Sequence, residues 1–174
     1  MQSLDTITTS RLVLRGLQLS DGPEMAAIRS DDEVNRYLNR QPCISQVEAE
    51  AFIRKIQMSV AAGDSYYWAI CLNDKDKLIG TICLWNIDRD LPQAELGYEL
   101  VPASQGRGIM FEAIEAIIAV AFEELNFSMI VAITQHQNAR SVALLRKFGF
   151  VADEALRGEK QADKEEICFR LDKP

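Results

Sequence analysis

The stretch from Ala94 to Leu125 constrains the fold of this chain more than any other. Ala94, Leu96, Tyr98 and Leu100 alternate with Glu95, Gly97, Glu99 and Val101, the two-residue period of a strand over Ala94–Val101. Pro102 ends that strand. Gln105-Gly-Arg-Gly108 then opens a helix in which Ile114, Ile117, Ile118, Ala121 and Leu125 form one apolar stripe. A glycine turn between a strand and a helix N-terminus is suited to anions. The first helical turn has unpaired N–H groups and the positive end of the dipole. Glycines let the backbone approach phosphate oxygens, and Arg107 adds charge. No G-x-x-x-x-G-K-S/T occurs, which excludes a P-loop nucleotidase. G-x-G-x-x-G is incomplete, because no further glycine comes before Glu112 and Ala113. Two readings stay open on the residues alone: a pyrophosphate-binding turn, or a tight turn whose glycines serve geometry only.

The flanking sequence predicts mixed α and β structure. Arg11 to Arg15 reads as a first strand, Pro23 to Arg29 as a helix, and Asp31 to Leu38 as a short helical piece. Ser45-x-x-Glu48 is a capping box for a helix to Ala62, with Ala51, Phe52, Ile56 and Val60 on its apolar face. Tyr66–Leu72 and Leu78–Ile87 form a hairpin across the turn at 73–76. A second turn, containing Pro92, leads into the strand at Ala94. Beyond the central helix come a strand over Met129–Thr134 and a helix from Asn138 to Lys147 ending at Gly149. A closing pair of strands follows at Phe150–Leu156 and Glu166–Leu171. An antiparallel meander thus precedes a β-α-β-α-β end. The 174 residues suit one domain, 1–174, with a core that needs no staples.

Charge and cysteine content narrow the partners. The net charge of −7 argues against phosphate-backbone binding, so no nucleic-acid partner is expected, and it mildly suits cationic partners. One histidine and no C-x-x-C pair leave no basis for a metal site. Cys43, Cys71, Cys83 and Cys168 read as reduced thiols of a cytoplasmic protein. The longest apolar run, Ala116 to Phe122, is too short to span a membrane. A monomer or homodimer is expected.

With those motifs in order, the sequence resembles the GCN5-related N-acetyltransferases (GNAT), of the RimJ/RimL type. The likeness runs from Thr9-Ser-Arg-Leu-Val-Leu-Arg15 and Ser20-Asp21 through Asp32-Glu33-Val34, Tyr37-Leu38 and Leu78-Ile-Gly-Thr-Ile82. It continues with Ala94-Glu-Leu-Gly-Tyr98, Gln105-Gly-Arg-Gly108, Glu112-Ala113, Asn138-x-x-Ser141 and Lys147-Phe-Gly-Phe150. The resemblance implies a single-domain α+β fold with a mostly antiparallel sheet splayed at an acetyl-CoA site. It implies that Gln105, Gly106, Arg107, Gly108, Ile109 and Met110 hold the pyrophosphate. Met110 stands where the family usually has Gly or Ala, which implies local crowding. The backbone of Leu100 and Val101 would pair with the pantetheine arm, with Asn138 and Ser141 near the sulfur.

Acetyl transfer to an amine needs a base for the amine proton and an acid for the leaving thiolate. Glu95 and Glu99 share one strand face, roughly 13 Å apart, too far for a dyad. Glu95 resembles the strand glutamate of the histone-acetylating branch and ranks first as base. Glu99 ranks second, and a water is the third reading. Ser141 is the candidate thiol-side donor, because Leu145 occupies the position of the tyrosine acid of many GNATs. His136 reads as a surface residue and Cys71 and Cys83 as core. No Cys/His pair suggests an acetyl-enzyme, so direct attack in a ternary complex is expected. Trp85, Tyr66 and Trp68 are candidates to line the acceptor pocket, with the segment Asn35 to Arg40 shaping it. The RimJ/RimL likeness implies, as the expected acceptor, the N-terminal α-amino group of a ribosomal protein. A small amine (polyamine, amino sugar or antibiotic) and a non-catalytic CoA-binding module are the alternatives.

Overall fold

The computed structural model describes residues 6–42, 45–156 and 165–174. Cys43 and residues 1–5 of the N-terminal reading lie outside them. Strands β1 (Ile7–Thr8), β2 (Leu12–Arg15), β3 (Tyr66–Leu72), β4 (Lys75–Asp88), β5 (Gln93–Leu100), β6 (Met129–Gln135), β7 (Val151–Ala152) and β8 (Glu166–Asp172) form one sheet. Its order is β1-β2-β3-β4-β5-β6-β8-β7. Only β5 and β6 are parallel. The α+β mixed sheet, mostly antiparallel, is therefore as expected.

Helices cover both faces. Helices α1 (Gly22–Ser30) and α3 (Gln46–Ala62) pack Met25, Ile28, Ala49 and Ile53 against Tyr67, Ala69, Cys71 and Leu78. Between them, α2 is a single turn, Asp32–Asn35, capped by the Asp31 carboxylate. On the other face, α4 (Ile109–Ala119) and α5 (Ala139–Lys147) pack over Trp68, Ile70, Ile82, Leu84 and Leu96. β3 is covered on both faces, which explains its near-unbroken apolar run.

Local differences from the sequence reading have physical causes. The capping box at Ser45 forms and Gly63 ends α3 at φ 77°, as read. However, Ala51 is exposed, and Ala49 and Ile53 take the buried positions of that helix. The stripe beyond Ala119 continues as a π turn, Val120–Glu124, whose wider winding buries Val120, Ala121 and Phe122 in succession. The strand expected at Phe150–Leu156 shrinks to Val151–Ala152 before a 3₁₀ turn at Glu154–Leu156. Among the described residues, no helix is long and apolar enough to cross a membrane.

Candidate active site

The site exists because the one parallel pairing stops early. β5 and β6 pair only at Gln93↔Met129, Ala94↔Ile130 and Glu95↔Val131. Beyond Glu95 they diverge, with β6 continuing along β8 from Met129 to Gln135. The Val101 N–H donates to Ile79 O on the β4 side, 2.9 Å away. By the antiparallel alternation, Leu96, Tyr98 and Leu100 aim their backbone groups into the gap. Val101 therefore does not offer its N–H to a ligand, contrary to expectation. The Leu100 carbonyl does face the gap and accepts from Gln105 Nε2 at 3.0 Å. A cleft of about 610 Å³ runs through this gap, lined from both sheet faces.

The glycine turn sits beyond one end of β5. Gly106 and Gly108 have φ 71° and 73°, in the left-handed region. From Gly106 through Phe111, the backbone N–H groups find no backbone acceptor among the described residues. Arg107 is exposed and Met110 is 9 % exposed. Because the Met110 side chain packs into the core, the crowding expected at the turn is not realised there. A Cβ added at Gly106 would meet nothing within 4 Å, so the turn is open to solvent. These residues fit a pyrophosphate.

Glu112, on the first turn of α4, would oppose an anion if it were free. Instead it accepts from Thr9 Oγ1 at 2.6 Å, Ser10 Oγ at 2.9 Å and Arg11 N at 2.8 Å, and pairs with Arg11 Nε at 2.6 Å. Burial pushes its carboxyl up, but these donors outweigh burial and hold it down at about 2. Arg11 also donates to the carbonyls of Arg107 and Gly108, at 2.9 and 3.0 Å. The β1–β2 turn thus braces the glycine turn, a role the sequence did not suggest.

Across the gap lie the proton-handling groups. Asn138 caps α5, accepting from Ser141 N, and its cap holds Ser141 in place. The buried Ser141 hydroxyl meets Tyr98 Oη at 2.7 Å. Burial pushes the Tyr98 phenol up to about 12, against the opposing hydrogen bond from Ser141. The sequence places Tyr98 in the strand alternation and in the Ala94–Tyr98 likeness, with no role in the chemistry assigned to it. Its position two residues past Leu96, on the inward-facing phase, was the available signal.

Both strand carboxylates line the cleft, on the α1/α3 face, but in different settings. Glu99 is 8 % exposed and pairs with Arg40 Nη1 at 2.6 Å, and Thr81 Oγ1 approaches it at 3.3 Å. Among the described residues, Glu95 has a single long hydrogen bond, from Asn86 Nδ2 at 3.4 Å. Burial raises the Glu95 pKa above the ordinary carboxylate value, with Asn86 acting the other way. Asn86 itself sits at φ 49° in a register shift between β4 and β5, a bulge that turns it towards Glu95. Among the described residues, Glu95 is thus a half-buried carboxylate without a cation partner, and Glu99 is one paired with Arg40.

The aromatic candidates divide by strand phase. Trp85 lines the cleft and is 47 % exposed. Trp68 is buried in the core, stacked against Tyr66, and neither lines the cleft. On β3 the aromatic that lines it is Tyr67, whose hydroxyl meets Thr81 Oγ1 at 3.1 Å. Tyr37, Leu38 and Arg40 of the 35–40 segment also line it. Cys71 is core, as read, but Cys83 lines the cleft. Burial pushes the Cys83 thiol up to about 12, so it stays protonated at neutral pH. His136 is exposed and lies off the cleft.

Comparison with known proteins agrees with this geometry. The acetyltransferase (GNAT) domain model matches residues 11–151. The uncharacterised N-acetyltransferase p20 of Bacillus licheniformis is 31 % identical over 159 residues, 91 % of this chain and 89 % of that one. The ribosomal protein uS5-alanine N-acetyltransferase of Escherichia coli is 33 % identical over 89 residues, 51 % of this chain and 46 % of its own. Mycobacterium smegmatis RimJ in complex with CoA-disulfide superposes with a TM-score of 0.81 at 17 % identity, over 97 % of this chain and 88 % of that one.

Proposed function

Since this chain belongs to the acetyltransferase (GNAT) family and is an N-acetyltransferase that uses acetyl-CoA, we propose that its acceptor is a protein N-terminal α-amino group. The observation that carries the proposal is the gap between β5 and β6. The cleft there is lined by the half-buried Glu95 and by Ser141, and the glycine turn follows the end of β5 that borders the gap. Acetyl-CoA lies with its pyrophosphate on Gln105–Met110, its pantetheine along the open edge of β5 and its thioester near Asn138 and Ser141. Residues 1–174 act as one domain.

The amine enters from the α1/α3 face and attacks the thioester carbonyl directly. Glu95, directly or through a water, accepts the amine proton. The C–S bond breaks, and Ser141 donates a proton to the departing thiolate, with Tyr98 restoring its hydroxyl. Glu99 holds the wall with Arg40. The protonated state of Cys83 supports transfer without an acetyl-enzyme. Amine chemistry favours the α-amino group. At pH 7 roughly a tenth of such groups are neutral, against well under a thousandth of lysine side chains. The uS5-alanine acetyltransferase likeness supports testing ribosomal N-termini first. The deciding experiment measures thiol release from acetyl-CoA with peptides bearing free α-amines, with lysine peptides and with small amines. Turnover on α-amines in preference to lysine is expected, with no change in protein mass on acetyl-CoA alone. Turnover confined to small amines, or a mass gain on a cysteine that passes to an amine, would overturn the proposal.

A further inference from the structure

The α1/α3 mouth of the cleft holds two arginines whose donors are not used up. Arg40, on the segment after α2, donates Nη1 to Glu99 at 2.6 Å and Nε to Asn35 Oδ1 at 2.8 Å. Among the described residues, its Nη2 is buried with no partner. Arg29, near the end of α1, has no carboxylate partner among the described residues, and its Nε is likewise buried without an acceptor. Both line the cleft. An unpaired buried donor is unfavourable, and one on a guanidinium more so. Among the described residues, nothing accepts from these two donors.

These arginines are held in place rather than loose. The Arg29 guanidinium carbon lies 3.9 Å from the Phe52 ring centroid, so the plane is fixed by stacking and its edge donors remain. Asn35 ties the pair together. It donates to the Arg29 carbonyl at 2.7 Å while accepting from Arg40 Nε. Local charge here differs from the acidic whole. Glu99 is spent on Arg40, and the remaining charged groups on the cleft are Arg29, Lys55, Asp64 and Glu95. A planar fork with spare donors matches a carboxylate.

We propose that Arg29 and Arg40 form an anion subsite that selects acceptor amines carrying a carboxylate. This rests on reading the α1/α3 mouth as the acceptor entrance. The carboxylate comes either from a free amino acid or from an acidic side chain next to a peptide N-terminus. In both, the amine points to Glu95 and the anion to the arginines. Lysine-rich and polyamine acceptors are disfavoured, although the net charge of the chain is −7.

The test uses matched acceptors in two arms: serine against serinamide, and Ser-Glu-Ala amide against Ser-Gln-Ala amide. The acid of at least one pair is expected to exceed its neutral mate in kcat/KM by about 10- to 100-fold, the range of one charge-assisted hydrogen bond. The arm that shows it identifies the source of the carboxylate. Arg29→Gln should erase the preference through KM with kcat unchanged, and Arg29→Lys should restore part of it. Arg29 is the position to vary, because Arg40 also neutralises Glu99. A binding readout runs beside it. Trp85 fluorescence of the CoA-loaded protein is titrated with the N-acetylated form of each acceptor. Tighter binding of the acids, lost in Arg29→Gln, is expected. Equal kcat/KM and equal affinity within both pairs would overturn the subsite, as would a preference untouched by Arg29→Gln. If no amine is acetylated, the acceptor proposal fails, and the titration still decides the subsite.

Discussion

The glycine turn follows the end of β5 and the acceptor wall lines the cleft, and the two are made of different material. The turn is backbone from consecutive residues, Gly106 to Phe111, whose N–H groups are left open by the helix start. The wall is side chains from α1, α3, the segment after α2 and strands β3 to β5: Arg29, Phe52, Arg40, Tyr67, Trp85 and Glu95. A site made of backbone is written in a few adjacent letters. A site made of converging side chains depends on topology. The comparison also separates rigid from adjustable chemistry: the turn can hold one kind of group, while the wall can change its acceptor by single substitutions.

The largest break in that comparison is Gly108→Asp. The position has φ 73°, and a Cβ there would lie 3.4 Å from Arg11 Nη2. The left-handed backbone costs a non-glycine residue about 1–2 kcal/mol. The added carboxylate also brings negative charge to the turn proposed for the pyrophosphate. CoA binding by calorimetry should fall below detection while the fold, followed by circular dichroism, persists. Unchanged CoA affinity would remove the turn from the account.

The same contrast explains what the sequence disclosed. The alternation at Ala94–Leu100, the capping box at Ser45 and the glycine turn are local signals, and each appears where it was read. The gap between β5 and β6 was legible only through family likeness, because no residue announces where a parallel pairing ends. Tyr66 and Trp68 were taken for pocket residues in place of Tyr67, because an unbroken apolar strand does not declare which phase faces a cleft. The Arg40–Glu99 pair spans 59 positions by number and has no sequence signature. Asn86 was missed because its role comes from a bulge rather than from its type.

Next in size is the difference between the two strand carboxylates. Glu95→Gln should lower kcat by about 10²- to 10⁴-fold with CoA affinity unchanged. The raised pKa of Glu95 moves the acid limb of the wild-type rate above the ordinary carboxylate range. Activity is therefore lost as pH falls through that raised value. The stability sign is opposite to the activity sign. A carboxyl whose folded pKa is raised favours the fold at low pH and opposes it once charged. Glu95→Gln should thus melt no lower than wild type at pH 7. Glu99→Gln is the converse, keeping kcat but destabilising by about 3 kcal/mol, since Arg40 is left without its anion. Equal rate losses in both variants would erase the distinction.

The brace beneath the turn gives a smaller effect. Glu112→Gln should cost about 2 kcal/mol through weakened charge-assisted hydrogen bonds. That corresponds to a melting shift of roughly 4–8 °C. Glu112 is held at about 2, below its unfolded value. Its contribution is therefore complete above the unfolded carboxyl pKa and fades as pH falls from there towards 2. The melting difference between variant and wild type should vanish below that window. Smallest among the rate effects is the proton pair: Ser141→Ala should reduce kcat by about 10²-fold, the low end of a general-acid effect. Tyr98→Phe, which acts only through Ser141, should do less and leave KM unchanged.

The proposed cofactor and acceptor paths meet in the gap between β5 and β6, one from each sheet face. A bisubstrate ligand, CoA joined through its sulfur by an acetyl bridge to the α-amine of an acceptor peptide, tests this directly by calorimetry. If both mouths open onto one passage, linkage supplies an effective concentration, and the ligand should bind about 10²- to 10⁴-fold more tightly than CoA alone. Glu95→Gln should retain that gain, and Gly108→Asp should abolish binding. A bisubstrate no tighter than CoA would contradict the account, because the two halves would then not share the cleft.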